Sequence, residues 1–290
     1  MTYAFDNDDP ASAGRLSSLA AMLDELTTRR LAALGDLAGR RCLELGAGAG
    51  SVASWLAARK AEVTATDINV RHLPAGAPYR VLRHDLAADP LPLGEWDVVH
   101  ARLLLMHLPG RHEILRRLAG ALAPGGALLV EDFETTYGKA VMRAASEEDV
   151  AAYERYHAAL IGSVLPARGN DPAWAGRVHA ELIDLGLTGV DTEIHARSWT
   201  GGSPGCRLIV ANIAQQRTAL IGAGVPAETL DRVVAMMADP GTVLRGHLVY
   251  STLGRSASGR STSGRSTSGR STSGRSASGG SASGFASGRA

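Results

Sequence analysis

Cysteine is almost absent from this sequence, which contains only Cys42 and Cys206 in 290 residues. Two cysteines do not supply the disulfide framework that stabilises small secreted domains. Cys42 lies in an apolar run, which is typical of a buried thiol. The stretch 1–10 has acidic residues but neither the basic nor the apolar region of a signal peptide. We therefore expect a protein of the reducing cytoplasm.

Long apolar runs and clustered positive charge are also missing. No run approaches the ~20 apolar residues that a membrane span needs, so we expect no membrane association. Residues 1–253 carry 24 basic and 29 acidic residues, a net charge of −5, because six arginines lie in 254–290. Proteins that follow a phosphate backbone need clustered Lys and Arg, so we expect no nucleic-acid partner.

The C-terminal stretch 254–290 repeats Gly-Arg-Ser-(Thr or Ala)-Ser with a period of five residues and has almost no core-forming side chain. Such a composition does not offset the entropy of ordering, so we expect a disordered tail. The whole chain is 45% hydrophobic, which is ordinary for a globular protein. We predict an N-terminal segment at 1–14 and one domain at 15–253.

Strand-like and helix-like segments alternate in the first half of the domain. This order predicts an α/β fold with a parallel sheet and right-handed crossovers. After residue 133 the pattern becomes mostly helical, interrupted by two late strand candidates at 188–198 and 248–253. The strands predicted in the first half are 41–45, 61–66, 79–84, 96–100 and 127–130.

The strongest motif is the glycine loop Glu44-Leu45-Gly46-Ala47-Gly48-Ala49-Gly50, which follows the first strand. Glycines allow a tight turn and a close approach of the backbone to a ligand. The dinucleotide fingerprint G-x-G-x-x-G would place its third glycine at position 51, where this sequence has serine. Asp67 ends the second strand, where a carboxylate can accept hydrogen bonds from ribose hydroxyls.

Five segments in one order resemble the class I S-adenosylmethionine-dependent methyltransferases. They are the glycine loop, Asp67, the pair Asp85-Leu86, the segment 96–109 and the Pro-Gly-Gly turn at 124–126. The resemblance implies a Rossmann-like seven-stranded sheet in the order 3-2-1-4-5-7-6, with strand 7 antiparallel and helices on both faces. It implies a cofactor half at 36–132 and a helical cap over the substrate within 133–240.

The resemblance also implies the cofactor-binding residues. An acidic Glu44 would complement the sulfonium and ammonium of S-adenosylmethionine, whereas it would repel a pyrophosphate. An acidic residue at position 85 meets the adenine amino group in this family. The implied cofactor site comprises Glu44, Gly46, Ala47, Gly48, Gly50, Asp67, Ile68, Asp85, Leu86, His100 and Arg102.

The implied reaction is direct displacement of a methyl group from sulfur by an O, N or C nucleophile of a small-molecule acceptor, leaving S-adenosylhomocysteine. His107 is the candidate catalytic base, because a histidine takes up a proton near neutral pH. No acidic cluster for a metal appears, and the sequence after Asp97 lacks the Asn-Pro-Pro-Tyr tetrad of enzymes that methylate nucleic-acid bases. A homodimer is possible.

Two other functions remain open from the sequence. An NAD(P)-dependent oxidoreductase would share the first strand-helix-strand unit and the aspartate at position 67. The glycine spacing and the missing Tyr-x-x-x-Lys pair argue against it. A non-catalytic S-adenosylmethionine-binding protein would keep the same cofactor motifs, because those motifs do not specify an acceptor.

Overall fold

The computed structural model describes residues 8, 12–136 and 138–258. The large sheet consists of β1 (Arg41–Leu45), β2 (Glu62–Asp67), β3 (Arg80–Arg83), β4 (Trp96–Arg102), β5 (Leu122–Glu134), β7 (Thr188–His195) and β10 (Leu248–Arg255). A small sheet consists of β6 (Val141–Arg143), β8 (Ser198–Thr200) and β9 (Val243–Arg245). The helices are α1 (Ser12–Ala32), α2 (Ser51–Ala57), α3 (Arg111–Gly120), α4 (Glu147–Ala159), α5 (Val178–Asp184), α6 (Pro204–Gly222) and α7 (Ala227–Ala238).

The large sheet has the strand order β3-β2-β1-β4-β5-β10-β7. Its first five strands are parallel, and β10 runs antiparallel to both β5 and β7. Since β7 and β10 are the sixth and seventh strands of this sheet along the chain, the predicted order and the predicted antiparallel strand are confirmed.

The fifth strand is longer than expected. We predicted that the Pro124-Gly125-Gly126 turn would break the chain before a strand at 127–130, but β5 extends from Leu122 to Glu134. The turn instead produces a register shift against β4, between the pairs Trp96–Leu122 and Val98–Ala127. A bulge of this kind bends a strand without ending its pairing.

Helices cover both faces of the large sheet. Alternate residues of a strand point to opposite faces, so Leu43 and Val99 join one core while Cys42 and Val98 join the other. The first core contains the buried faces of α3 and α5 and the leucines in the middle of α1, whereas the second contains α2 and the end of α1. Cys42 is completely buried, and burial raises the pKa of its thiol to about 12.

A separate apolar core holds the helical cap together. The buried side chains of α4, α6 and α7 form it, with help from the π-helical turn Leu160–Val164. The small antiparallel sheet, in the order β6-β9-β8, joins the cap to the strand ends of the domain. Its strands have three residues each and were not predicted, because such short segments carry no alternating pattern.

Both ends of the domain differ by a few residues from the predicted boundaries. Helix α1 begins at Ser12, inside the segment predicted to precede the domain. Strand β10 continues through Gly254 and Arg255, which pair with Leu128 and Ala127 of β5. The predicted tail therefore begins within a strand, and its part 259–290 lies outside the described residues. No helix in the described part of the chain is long and apolar enough to cross a membrane.

Two truncations test where the domain ends. A chain ending after Ser258 keeps all of β10, and we expect its Tm to match that of the full chain within about 1 °C. A chain ending after Leu253 loses the pairing of Gly254 and Arg255 and the bond from the Ser256 amide to the Gly126 carbonyl. At about 1 kcal/mol for each net hydrogen bond, we expect its Tm to fall by roughly 4–10 °C. Equal melting of the two truncated chains, followed by circular dichroism, would contradict this boundary.

Candidate active site

The glycine loop forms a tight backbone curve at the carboxyl end of β1. Gly46, Gly48 and Gly50 have φ values of 63°, 56° and 77°, a region that residues with a Cβ rarely adopt. The Ala47 amide donates to the Thr66 carbonyl over 2.9 Å, which ties the loop to β2. The backbone of the loop can therefore approach a ligand at the carboxyl ends of the strands closely.

Asp67 anchors this loop from the neighbouring strand. Its carboxylate accepts hydrogen bonds from the Gly48 amide (2.8 Å) and the Asn69 amide (2.9 Å). Burial raises the pKa of Asp67, and the two backbone donors oppose that rise. Because a carboxylate has about four acceptor positions, the same group has capacity left for two ribose hydroxyls. Ile68 follows directly and exposes 49% of its surface.

The segment after β3 lies at the same edge of the sheet, since β3 is parallel to β2. Asp85 accepts from the Ala87 amide over 3.0 Å, and its own amide donates to the Asp89 carboxylate. Leu86 is buried in the core beneath this turn. The turn thus presents Asp85, half-buried, beside Asp67, and the adenine-binding role of this pair stays a prediction.

A chain of buried polar groups lies beneath the loop. His100 is completely buried between two carboxylates: Nδ1 is 2.7 Å from Glu44 Oε2, and Nε2 is 3.3 Å from Glu131 Oε2. Burial alone would lower the pKa of His100, but Glu44 and Glu131 outweigh it and raise the pKa to about 9. Burial works to raise the pKa of Glu131, but His100, Ser251 and Thr27 hold it below its usual range.

Helix α1 closes this side of the site through polar contacts. Thr27 donates a short hydrogen bond to Glu131. Arg102, predicted to bind the cofactor, donates to Asp24 and to Thr27, both over 2.9 Å. Asp24 also accepts from the Ser51 hydroxyl at the start of α2. Arg102 therefore holds α1 against the sheet in this structure.

A cavity of about 50 Å³ lies between the sheet and the cap. The segment after β4 forms one wall, through Leu103, Met106 and His107. The other walls come from α1, β5, α4 and its π-helical turn, α6 and the loop before β10. Besides His107, two imidazoles and two phenols face the cavity: Tyr153, Tyr156, His157 and His247.

The wall after β4 is fixed by a buried carboxylate. Asp132 accepts from the amides of Leu104 (3.1 Å) and Met106 (3.3 Å). Burial raises the pKa of Asp132 to about 8, so the group holds its proton more tightly than an ordinary aspartate. Leu103 has a φ of 51°, which is strained for a leucine and costs of order 1 kcal/mol. This turn brings Leu104 to the glycine loop and Leu103 to the cavity.

His107, the candidate base, lies in the cavity wall and is buried. Its Nδ1 is 2.9 Å from the Asn170 side-chain amide, which fixes the orientation of the ring. Burial lowers the pKa of His107 to about 3, with Arg15 and Arg111 adding to the effect. The imidazole is therefore neutral at pH 7.

Comparison with known proteins identifies the family. The family described as a methyltransferase domain matches residues 18–169, more than half of the chain. The methyltransferase str2 of Strobilurus tenacellus is 38% identical over 100 residues, which cover 33% of this chain and 36% of that one. The 27-O-demethylrifamycin SV methyltransferase of Amycolatopsis mediterranei is 38% identical over 128 residues, or 39% and 47% of the two chains.

The chain belongs to the class I S-adenosylmethionine-dependent methyltransferases. The match spans about a third to a half of the length of these curated relatives. A solved structure of phosphoethanolamine N-methyltransferase 2 from Haemonchus contortus, bound to S-adenosylhomocysteine, shares the fold with a TM-score of 0.54. It is 14% identical, with 89% of this chain and 61% of that chain covered.

The residues of this methyltransferase fit the family's cofactor. Neither Gly46 nor Gly48 could carry a side chain without movement of a neighbour: a Cβ added at Gly46 would lie 3.2 Å from the Leu104 side chain, and one at Gly48 would lie 3.1 Å from Leu16. The carboxylates of Glu44 and Asp67 suit a cationic amino acid and a ribose. Among the described residues, no cluster of His, Cys, Asp or Glu could hold a metal ion.

Several residues of this methyltransferase site could not be found from sequence. Thr27, Ser251, Asn170 and His247 each reach the site from an element far away along the chain. None lies in a motif, so no local signal distinguished them from ordinary helix, strand or loop residues. Tertiary packing alone brings them to the predicted residues.

The cluster of Glu44, His100 and Glu131 predicts a pH-dependent contribution to stability. The pKa of His100 is about 9 when folded and ordinarily 6.5, so its contribution is complete below pH 6.5 and is lost as pH rises through about 9. Between pH 7 and 10 we expect the Tm of the wild type to fall about 5 °C further than that of His100→Asn.

The matched control is His179→Asn, since His179 lies on α5 and contacts Thr192 instead. The Tm of His179→Asn should depend on pH as that of the wild type does. The raised pKa of Asp132 is common to all three proteins, so it does not affect the comparison. Parallel losses of Tm in the wild type and in His100→Asn, measured by scanning calorimetry, would show that His100 is not charged.

Proposed function

We propose that this protein transfers the methyl group of S-adenosylmethionine to a nucleophilic atom of a small molecule bound in the cavity under the cap. One observation carries the proposal. The segment after β4 places Leu104 against the glycine loop and Leu103, Met106 and His107 in the cavity wall. The cofactor edge of the sheet and the cavity therefore meet at a single turn.

Nine of the eleven predicted cofactor residues, all except His100 and Arg102, divide into three groups in this proposal. Asp67 binds the ribose hydroxyls, and the backbone of Gly46, Ala47, Gly48 and Gly50 curves around the nucleoside. Ile68, Asp85 and Leu86 meet the adenine. Glu44 faces the methionyl ammonium. When bound, S-adenosylmethionine supplies an electrophilic methyl group on a sulfonium that is itself a good leaving group.

The chain's own contribution is to align the acceptor and to exclude water. Effective molarity from such alignment accounts for much of the rate of a bimolecular displacement. Helices α1, α4 and α6 line the cavity on the side away from the sheet. Arg15 of α1 donates to the Asn212 side chain of α6 over 3.3 Å, which links two of these helices.

The cavity lining favours an uncharged acceptor with an oxygen or carbon nucleophile. Its residues in the described part of the chain include no carboxylate, and Arg15 is its cation. Burial lowers the pKa of His247 to about 3, and it also lowers the pKa of His157. A cationic amine would meet no opposite charge there. Among the relatives, the ubiquinone biosynthesis O-methyltransferase of Marinobacter nauticus is named for an oxygen acceptor.

His107 remains the candidate base in this proposal. A neutral imidazole held by Asn170 is placed to form a hydrogen bond with an acceptor hydroxyl in the cavity. In the free protein the lowered pKa makes His107 a weak base. Its contribution to catalysis therefore depends on the acidity of the acceptor hydroxyl. Phenols and enols, which lose a proton readily, suit such a group better than simple alcohols.

Cofactor binding separates this function from its alternatives. We expect S-adenosylhomocysteine to bind, NADH not to bind, and Asp67→Asn to weaken S-adenosylhomocysteine about a hundredfold, because charged hydrogen bonds to two hydroxyls are weakened. Calorimetric titration measures all three.

The control for that titration is Asp97→Asn, because Asp97 also accepts from a backbone amide, that of Arg41, but at the opposite end of β4. Its affinity should match the wild type. Binding of NADH alone would replace the methyltransferase proposal with the oxidoreductase.

Turnover tests the acceptor cavity. The assay uses labelled S-adenosylmethionine and a panel of phenols, alcohols and primary amines of similar size. We expect the rate of methyl transfer to phenols to be at least about tenfold higher than the rate to amines. His107→Gln should lower kcat about a hundredfold and leave the affinity for S-adenosylhomocysteine unchanged.

The control variant is His112→Gln, because His112 lies on α3 and is paired with Glu181 at the surface. Transfer to amines alone would contradict the uncharged acceptor. Full kcat in His107→Gln would remove His107 from catalysis. Cofactor binding with no transfer to any acceptor class would favour the non-catalytic binding protein.

A further inference from the structure

The polar groups behind the glycine loop are arranged as a line across three neighbouring strands. Glu44 on β1 and His100 on β4 are register partners, and Glu131 on β5 lies beyond them. The imidazole separates the two carboxylates, with one nitrogen facing each. His100 has no exposed surface, so it lies behind Glu44 as seen from the cofactor edge.

The two carboxylates at the ends of this line differ in how fully they are bonded. Both oxygens of Glu131 are engaged: Oε1 accepts from Ser251 over 2.6 Å, and Oε2 accepts from Thr27 and faces His100. Glu44 bonds through Oε2 alone, and its Oε1 has no hydrogen-bond partner among the described residues. The line therefore ends in one carboxylate oxygen that is still able to accept a hydrogen bond.

The charges of the line do not balance. With both carboxylates ionised and the imidazole protonated, it carries one net negative charge. The nearby cations are already paired: Arg102 with Asp24, Arg30 with Asp191, and Arg29 with Glu193. A buried charge without a partner is strongly unfavourable, so this arrangement is complete only when a cation meets Glu44.

We propose that His100 and Glu131 are positioning residues that hold Glu44 in one orientation, as a carboxylate, to receive the ammonium of the cofactor's amino-acid portion. The inference rests on the proposed function. Ser251 of β10 and Thr27 of α1 fix Glu131, which orients the imidazole, and the imidazole Nδ1–H donates to Glu44. His100 thus acts through Glu44 and does not itself touch the cofactor. The raised pKa of His100 agrees with a protonated ring.

Two ligands that differ only in the amino-acid portion separate positioning from a structural role. S-adenosylhomocysteine carries the ammonium, whereas 5′-methylthioadenosine keeps the nucleoside and lacks it. At pH 7 we expect His100→Asn to weaken S-adenosylhomocysteine about tenfold or more, and to change 5′-methylthioadenosine less than about twofold. Glu131→Gln should also weaken S-adenosylhomocysteine more than 5′-methylthioadenosine, but by a smaller factor than His100→Asn. His179→Asn should change neither affinity.

A double-mutant cycle sharpens the result. In a Glu44→Gln background, His100→Asn should cause no further loss, since the effect of His100 passes through Glu44.

The outcomes are distinguishable. Equal weakening of both ligands in His100→Asn, additive losses in the cycle, or unchanged binding of S-adenosylhomocysteine would overturn the inference while leaving the proposed function standing. A wild-type protein that binds neither ligand would overturn the proposed function and the inference with it. If His100→Asn shows no cooperative melting, Ser251→Ala replaces it as the test. An affinity about threefold lower for S-adenosylhomocysteine, with unchanged affinity for 5′-methylthioadenosine, supports the inference. Equal changes in the two affinities overturn it.

Discussion

The ionised carboxylate of Glu131 is the group around which this site is assembled. A buried carboxylate requires compensation, and Glu131 receives it from three other elements: Thr27 of α1, His100 of β4 and Ser251 of β10. Each donor fixes the position of the element that carries it. The helix that covers the site, the strand beside the glycine loop and the last strand of the sheet are thus held to one point at the end of β5.

Helix α1 connects the two halves of the site as a consequence. Its polar face meets the sheet through Asp24 and Thr27, while Leu16 lies over the glycine loop at Gly48. Residues of its first turns, Arg15 and Leu19, form part of the cavity wall. One helix therefore contacts both the proposed cofactor edge and the proposed acceptor cavity.

The first half of the fold could be predicted because its signals are local. The strand 41–45 has the predicted bounds, and the glycine spacing correctly favoured a methyltransferase over a dinucleotide-binding protein. In the second half, a 3₁₀ turn at Ala175–Arg177 precedes α5 at Val178–Asp184, and the helical pattern after residue 133 does not distinguish the two. The contacts of the site could not be predicted. The carboxylate partners of His100 are set by the pairing of distant strands, and the partner of Arg102, Asp24, is set by the packing of α1.

The sheet order has a consequence for how the chain reaches this structure. Strands β1 to β5 form a continuous set of paired neighbours within the first half of the chain, so they can associate while the rest of the chain is still being synthesised. Strand β7 has β10 as its neighbour in the described sheet, and β10 comes after α6 and α7. Residues Thr188–His195 therefore wait, with both edges unpaired, until Leu248–Arg255 has left the ribosome. The interval exposes strand edges that are prone to aggregation, and helices α6 and α7 of the cap are synthesised within it.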